Sequence, residues 1–311
     1  MSRLVALLLA GALGLALGLA ASGCGVGPGA AKSGAVELRV TRDFGSAGSF
    51  KDARRSSIRD SDTVMRFLEA SHRVTTRFGG GFVQSIDGLA GSQAAERDWF
   101  YYVNGSEASV GAADFKLSPG DVVQWDHHDW RATQHVPAIV GAYPEPFLHG
   151  QDGKRLPLRV ECEDDSSAAC REVGDRLAAQ GAQPTSSAIG APAGEATLRV
   201  IVAKFKTAAQ VRGAQALTLG PAASGVYARF DSAGTTLSLL DSAGHAIRTA
   251  PPGTGLVAAT QQAAQPITWL VTGVDDAGVL RAAHALSPAT LRDAFAVAVE
   301  PTGVVKLPVK G

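Results

Sequence analysis

Alternation of apolar and polar positions marks the first element of the chain. Val36–Arg42 (VELRVTR) alternates with period two, the pattern of a half-exposed strand. The basic stretch up to Arg59 predicts a loop and a second strand. Val64, Phe67 and Leu68 then recur at the i, i+3, i+4 spacing of one helix face. Asp60-Ser61-Asp62-Thr63 stands ahead of them, with an Asp or Ser to cap the first turn, so a helix is predicted here. Val74–Phe78 and Phe82–Ile86 read as strands on either side of Gly79-Gly80-Gly81, a turn with no side chains to pack. Trp99–Val103 is a dense aromatic and β-branched run suited to a pleated, half-buried surface. Asn104-Gly105 and Ser118-Pro119-Gly120-Asp121 reverse the chain, and Val122–Trp125 begins a strand that runs into Asp126-His127-His128-Asp129-Trp130. Strands, one helix and more strands make an α+β unit, a small mixed sheet over a single helix.

Residues 131–154 lose this regularity. Pro137, Pro144 and Pro146, with Gly141, Gly150 and Gly153, predict a linker, and its apolar residues predict that it packs against one or both neighbours. A second unit spans 155–311. Strands are expected at Leu156–Cys162, Ala196–Phe205, Leu256–Thr260 and Ile267–Thr272, with a hairpin at Gly225–Leu240. Helices are expected at Ser166–Gln180, Ala208–Leu217 and Ala277–Leu286, and Ala294–Glu300 fits a last strand or a short helix. Alternation of the two types predicts an α/β-type mixed sheet.

Several motifs of the first unit occur in a joint order. Asp62-Thr63-Val64, Gly80-Gly81-Phe82-Val83 and Ile86-Asp87-Gly88-Leu89 lead to Trp99-Phe100-Tyr101-Tyr102-Val103-Asn104-Gly105. Gly111-Ala112, Leu117-Ser118-Pro119-Gly120-Asp121 and Trp125 follow. The stretch 36–130 resembles the domain of unknown function 4430 (DUF4430) family, the transcobalamin carboxy-terminal-like domain. The resemblance implies a β-grasp-like fold. In the animal carriers of vitamin B12 the related domain closes over one face of cobalamin beside a helical domain, and this chain shows no such helical partner. A corrinoid is therefore an implied ligand whose site would lack half its walls unless a partner supplied them.

The amino terminus changes the picture of location. A short basic start precedes an unbroken apolar stretch, Leu4–Ala21, and then Ala21-Ser22-Gly23-Cys24, the layout of a secretory signal peptide. The last four residues resemble the bacterial lipoprotein cleavage box, apart from Ala in the place usually held by Leu. By that resemblance 1–24 is a leader ending at the lipidated Cys24, and 25–35 a flexible tether to an extracytoplasmic protein. Outside the cytoplasm, Cys162 and Cys170 read first as a disulfide. The charges balance, with 29 basic and 29 acidic residues, so no field favours nucleic acid.

Candidate chemistry gathers around the aromatic run. Trp99, Tyr101 and Val103 share one face of a strand, and Phe100 and Tyr102 share the other. One set enters the core, so the second must be covered by the other domain, a ligand or a partner. The expected ligand surface comprises Trp99, Phe100, Tyr101, Tyr102, Asn104, Trp125, His127, His128 and Trp130. Asp126, His127, His128 and Asp129, with His135 and His149, are the densest set of ligating side chains. Neighbours in a strand point apart, so His127 and His128 do not readily share an ion, whereas Asp126 and His128 can meet. A polar strand end hydrogen-bonded to the linker is the plainer reading, and no metal site is assigned. With no nucleophile and base at usable spacing, the expectation is a binding protein and not an enzyme. It would capture a corrinoid or other planar molecule, with a transporter or surface protein as a further partner. The alternative is an interaction module without a small ligand.

Overall fold

A computed structural model describes residues 30–311, apart from Ser49, Ala193, Glu195, Ala263 and Ala264. The leader, Cys24 and residues 25–29 of the tether lie outside the described residues, and 32–35, expected as flexible tether, instead open the first strand, Lys32–Arg42. Among the described residues no helix is long and apolar enough to cross a membrane.

The first domain contains β1 (Lys32–Arg42), β2 (Ala53–Ile58), α1 (Val64–Glu69), β3 (Val74–Arg77), β4 (Phe82–Ile86), β5 (Arg97–Val103) and β6 (Val122–Asp129). Its main sheet runs β2–β1–β6–β5. The first and last strands pair in parallel at the centre, Val40 beside Trp125, and antiparallel strands flank them. That order with one covering helix is a β-grasp arrangement. Thr63 caps α1 by accepting from Arg66 N, in place of the Asp or Ser expected from the sequence. Val64, Met65, Phe67 and Leu68 of α1 are buried against Val36, Leu38 and Val40 of β1 and Trp99 and Trp125 of the later strands. β3 and β4 form a small antiparallel sheet of their own with Leu89–Ala90, and the glycine turn is its tip.

The two motif turns are clipped together by one side chain. Asn104 and Gly105 take φ of 53° and 81°, the left-handed values that an Asn-Gly hairpin supplies. The buried Asn104 amide donates to Asp121 Oδ1 (2.9 Å) and the Gly150 carbonyl (3.0 Å), and its oxygen accepts from Val122 N (2.9 Å). Asp121 in turn accepts from Ser118 N, closing the Pro-Gly-Asp turn. Asn104 is therefore structural and is not part of a ligand surface.

The second domain adds β7 (Leu158–Cys162), α2 (Ala168–Ala179), β8 (Thr185–Ala188), β9 (Leu198–Lys204), β10 (Ala228–Phe230), β11 (Leu237–Leu240), β12 (Ala246–Thr249), β13 (Gly255–Thr260), β14 (Thr268–Gly273), α3 (Asp276–His284), β15 (Ala296–Glu300) and β16 (Gly303–Leu307). Seven strands order as β8–β7–β9–β14–β13–β15–β16, parallel as far as β14 and antiparallel beyond it. α2 and α3 cover one face, and the β10–β11–β12 meander and several single-turn helices cover the other. Cys162 at the end of β7 is bonded to Cys170 in the first turn of α2.

The helix predicted at Ala208–Leu217 is instead broken into the single turns Phe205–Ala208, Arg212–Gln215 and Ala216–Thr218. Its buried residues, Ala208, Val211, Ala214 and Leu217, recur every third position. A strict three-residue spacing drifts off one face of a 3.6-residue helix, and the segment meets the core in short separate turns, two α-helical and one 3₁₀.

Residues 131–154 do more than link. Ala138, Val140, Tyr143 and Phe147 join the core beneath α2 and α3, and Val136 and Ile139 join the core on the opposite face. The same second core also takes Phe44 and Tyr102 from the first domain. The boundaries read at 130 and 155 therefore cut through shared hydrophobic interiors, and the two domains are docked.

Candidate functional site

The Asp126–Asp129 cluster is a docking device. Asp43, Phe44 and Gly45 take φ of 55°, 59° and 69°, a left-handed run that non-glycine residues avoid without support. Support comes from the buried Asp126 carboxylate. It accepts from Phe44 N (3.0 Å), Gly45 N (2.8 Å) and Thr41 Oγ1 (2.6 Å), successive amides cradling an anion. The held loop pushes the Phe44 ring into the second domain, 4.8 Å from Tyr227 and 5.1 Å from Phe295. His128 Nδ1 lies 2.9 Å from Asp126 Oδ1, and since a carboxylate only accepts, that nitrogen carries the proton. The imidazole stacks on Phe100 at 4.5 Å and meets Phe44 and Phe295.

This arrangement corrects part of the expected ligand surface. His128 is buried among rings and bound to Asp126, so it is not available as an axial ligand. His127 is also buried, with Nε2 3.3 Å from the Ala90 carbonyl. Burial, and next the charge of Arg97, lower its pKa and favour the neutral ring. His135 pairs with Glu107 and His149 with Glu145, both away from the 126–129 strand end. Among the described residues no group of three His, Cys, Asp or Glu is placed to hold a metal ion.

The aromatic strand divides as its parity requires. Trp99, Tyr101 and Val103 face the core under α1, where Tyr101 stacks on the buried Trp125 at 4.9 Å. On the other face Tyr102 is buried against Phe295 of the second domain, 5.4 Å away. Tyr102 is therefore a packing residue, whereas Tyr101 and Trp125 stack on each other in the first core and also line a small cavity beside it. The second domain, and not a ligand, covers most of the face whose exposure the sequence left in question.

Coverage stops short of the far end of β5, and there a cleft of about 390 Å³ opens. It lies between the β3–β4 sheet and the start of β5. Trp99, Phe100 and Trp130 of the predicted surface line it, joined by Arg77, Phe78, Phe82, Gln84, Gln93, Asp98 and Gln134. Phe78 is 87% exposed and Phe82 39%, large rings left in water beside the glycine tip. On its outer edge β5 is bridged by Ser92 at Arg97 and by Ser106–Glu107 at Tyr102 and Val103, and Trp99 lies in the gap between them. A smaller cavity of about 160 Å³ continues past Phe82, Trp99 and Phe100 to Tyr101 and Ala108.

Asp98 is the charged group set deepest in the lining. It lies on the Phe100 face of β5, and its Oδ1 accepts from Trp99 N at 2.8 Å. Burial raises its pKa, an effect that this bond and the charges of His127, Arg77 and His128 only partly offset. Sequence reasoning passed over Asp98, Phe78 and Phe82. The one available signal was that two phenylalanines flank a triple glycine, which places apolar side chains at an exposed tip.

Residues 61–129 match the family model described as "Domain of unknown function (DUF4430)", so the β-grasp part of the chain carries a domain of that family. The match spans α1 to β6 and includes every cleft residue except Trp130 and Gln134. Among curated proteins none matches the sequence. One solved structure with a local likeness is described as a candidate metal-binding protein from Ruminococcus gnavus. It shares 13% identity, covers 31% of this chain and 97% of its own, and has a TM-score of 0.26. A likeness of that size carries no weight for fold or function.

Proposed function

We propose that the protein is an exported capture protein, tethered to the membrane through a lipid on Cys24, whose DUF4430 domain holds a small planar ligand in the Trp99–Trp130 cleft. It works by binding and not by catalysis. The observation that supports this most is the concentration of five aromatic side chains, Phe78, Phe82, Trp99, Phe100 and Trp130, around one open cavity. Its volume of about 390 Å³ falls within the roughly 300–1,000 Å³ of small-molecule sites. The second domain would act as the rigid backing that holds β5 and Trp130 in place, leaving the cleft end of the strand free.

A corrinoid is the specific candidate that the transcobalamin resemblance implies. The cleft is small for such a molecule and His128 is sequestered, so a corrinoid would be held by one edge or side arm, without a cobalt ligand from this histidine. Titration of the soluble chain with cobalamin and cobinamide tests it, following heat and the visible spectrum. Saturable binding that Trp130→Ala weakens at least tenfold, with no change on Tyr102→Phe, is the expected result. Absence of heat and of any spectral change up to high micromolar ligand would remove the corrinoid.

A second reading is favoured by Phe78 alone. A ring that is 87% exposed at a glycine tip is a common anchor for a partner protein, a transporter subunit or another surface protein. Partner capture lost on Phe78→Ser and kept on Trp130→Ala, with no small molecule bound by the wild type, would favour this reading over the first.

A further inference from the structure

The lining of the cleft specifies the charge of what it holds. Asp98 is half-buried, and among the described residues no cation lies in ion-pair contact with it. The same lining holds Trp99, Phe100, Trp130 and Phe82, aromatic side chains whose ring faces attract positive charge. Gln84, Gln93 and Gln134 supply neutral amides. Arg77 also lines the cleft, but it is exposed, so water screens its charge while Asp98 acts across a drier, lower-dielectric path. A half-buried carboxylate whose one hydrogen bond comes from Trp99 N, with no ion-pair partner, costs stability, and a ligand carrying the opposite charge would recover it.

Building on the cleft as the ligand site, we infer that its ligand is an organic cation. An ammonium, quaternary ammonium or guanidinium group sits against the Asp98 carboxylate, and an apolar or flat body packs between Phe82, Phe100 and Trp130. Desolvation of Asp98 raises its pKa, the direction expected of a carboxylate that lacks a counter-charge until the ligand arrives. Aromatic walls with one acidic group recognise cations by a general physical mechanism, since ring quadrupole and carboxylate act in the same sense.

The test uses the soluble two-domain chain at pH 7 and three simple probes: phenethylamine, benzyltrimethylammonium and phenylpropionate. Calorimetry and tryptophan fluorescence report binding, because Trp99 and Trp130 both line the cleft. The expected result is saturable binding of the two cations and none of the carboxylate. Asp98→Asn should weaken the cations at least tenfold and Trp130→Ala comparably, while Arg77→Gln should leave them unchanged or tighter. Preference for phenylpropionate, lost on Arg77→Gln, would overturn the inference. So would cation binding that is equal in Asp98→Asn, or no cation binding up to 10 millimolar. If a corrinoid still bound with sensitivity to Trp130→Ala, the cleft would stand as a ligand site and only its cationic specificity would fall. If no probe and no corrinoid bound, the small-molecule function would fall with it.

Discussion

Asn104 carries more of the first domain than its place in a two-residue turn would suggest. Its side chain uses both donors and its acceptor on three groups from two segments, Asp121 and Val122 of one and Gly150 of the other. Truncation strands those partners in a buried setting and leaves a left-handed φ without the residue types that tolerate it. Asn104→Ala should destabilise the protein by about 2–4 kcal/mol, read as a lower urea midpoint with an unchanged m-value. Asp98 gives a prediction of the opposite kind, on binding and not on stability. Burial raises its pKa, and Trp99 N, His127, Arg77 and His128 are the groups that oppose the rise. Cation affinity should therefore begin to fall at a pH above the usual aspartate range and be lost as the carboxyl protonates. Asp98→Asn should abolish that pH dependence, and phenethylamine titrations between pH 7 and pH 4 read both effects.

At the scale of elements, the sequence told faces apart and left open what would cover them. Parity placed Phe100 with Tyr102 and Asp126 with His128, and the structure keeps both pairs on one side of their strands. Spacing carries that much because side-chain direction in a strand is local. It could not show that Asp126 would hold amides 81 and 82 residues upstream, or that Tyr102 would meet Phe295. Those contacts depend on how whole sheets dock. The cleft was half legible for the same reason. Trp99, Phe100 and Trp130 stood out by composition, whereas Phe78, Phe82 and Asp98 belong to it only because the β3–β4 sheet folds back beside β5. Gly105 shows how closely these elements are fitted. A Cβ there would stand 2.6 Å from the Ile139 carbonyl oxygen, on a residue whose φ is 81°. Gly105→Ala should thus cost about 2–3 kcal/mol, with hydrogen exchange faster both at the hairpin and around Ile139. A cost under about 0.5 kcal/mol would mean that the turn and the Ile139 backbone are not tightly fitted.

For the molecule as a whole, the docking of the two domains is held by a polar network as well as by Phe44. Arg39 reaches Glu37 (3.0 Å) and the Gly141 carbonyl (2.6 Å), and Arg292 of the second domain reaches Glu37 (3.2 Å) and Asp52 (2.5 Å). Burial raises the pKa of Glu37, but the hydrogen bond and charge of Arg39, and then Arg292, outweigh it and the net shift is downward. Its proton is thus bound more weakly in the folded protein than in the unfolded chain. The stability it contributes is complete above the unfolded value near 4.5 and is lost as pH falls through the lower folded value. Asp293, beside the same arginines, behaves in the opposite sense. Burial raises its pKa despite Arg39 and Arg292, so its ionisation costs stability as pH rises through the folded value. Acid should loosen the interface through Glu37 while relieving it through Asp293. Glu37→Gln should melt lower than the wild type at pH 7 and lose less on going to pH 3.5, because the group that titrates favourably is gone. Gly45→Ala tests the apolar half of the same interface, since a Cβ there would lie 1.7 Å from the Asp293 carbonyl oxygen. The Phe44 loop would have to withdraw, at a cost on the order of 2–4 kcal/mol. If the domains are docked as one unit, unfolding of Gly45→Ala should separate into two transitions. One transition, with a stability within about 0.5 kcal/mol of the wild type, would show that the Phe44 loop does not bind the two halves together.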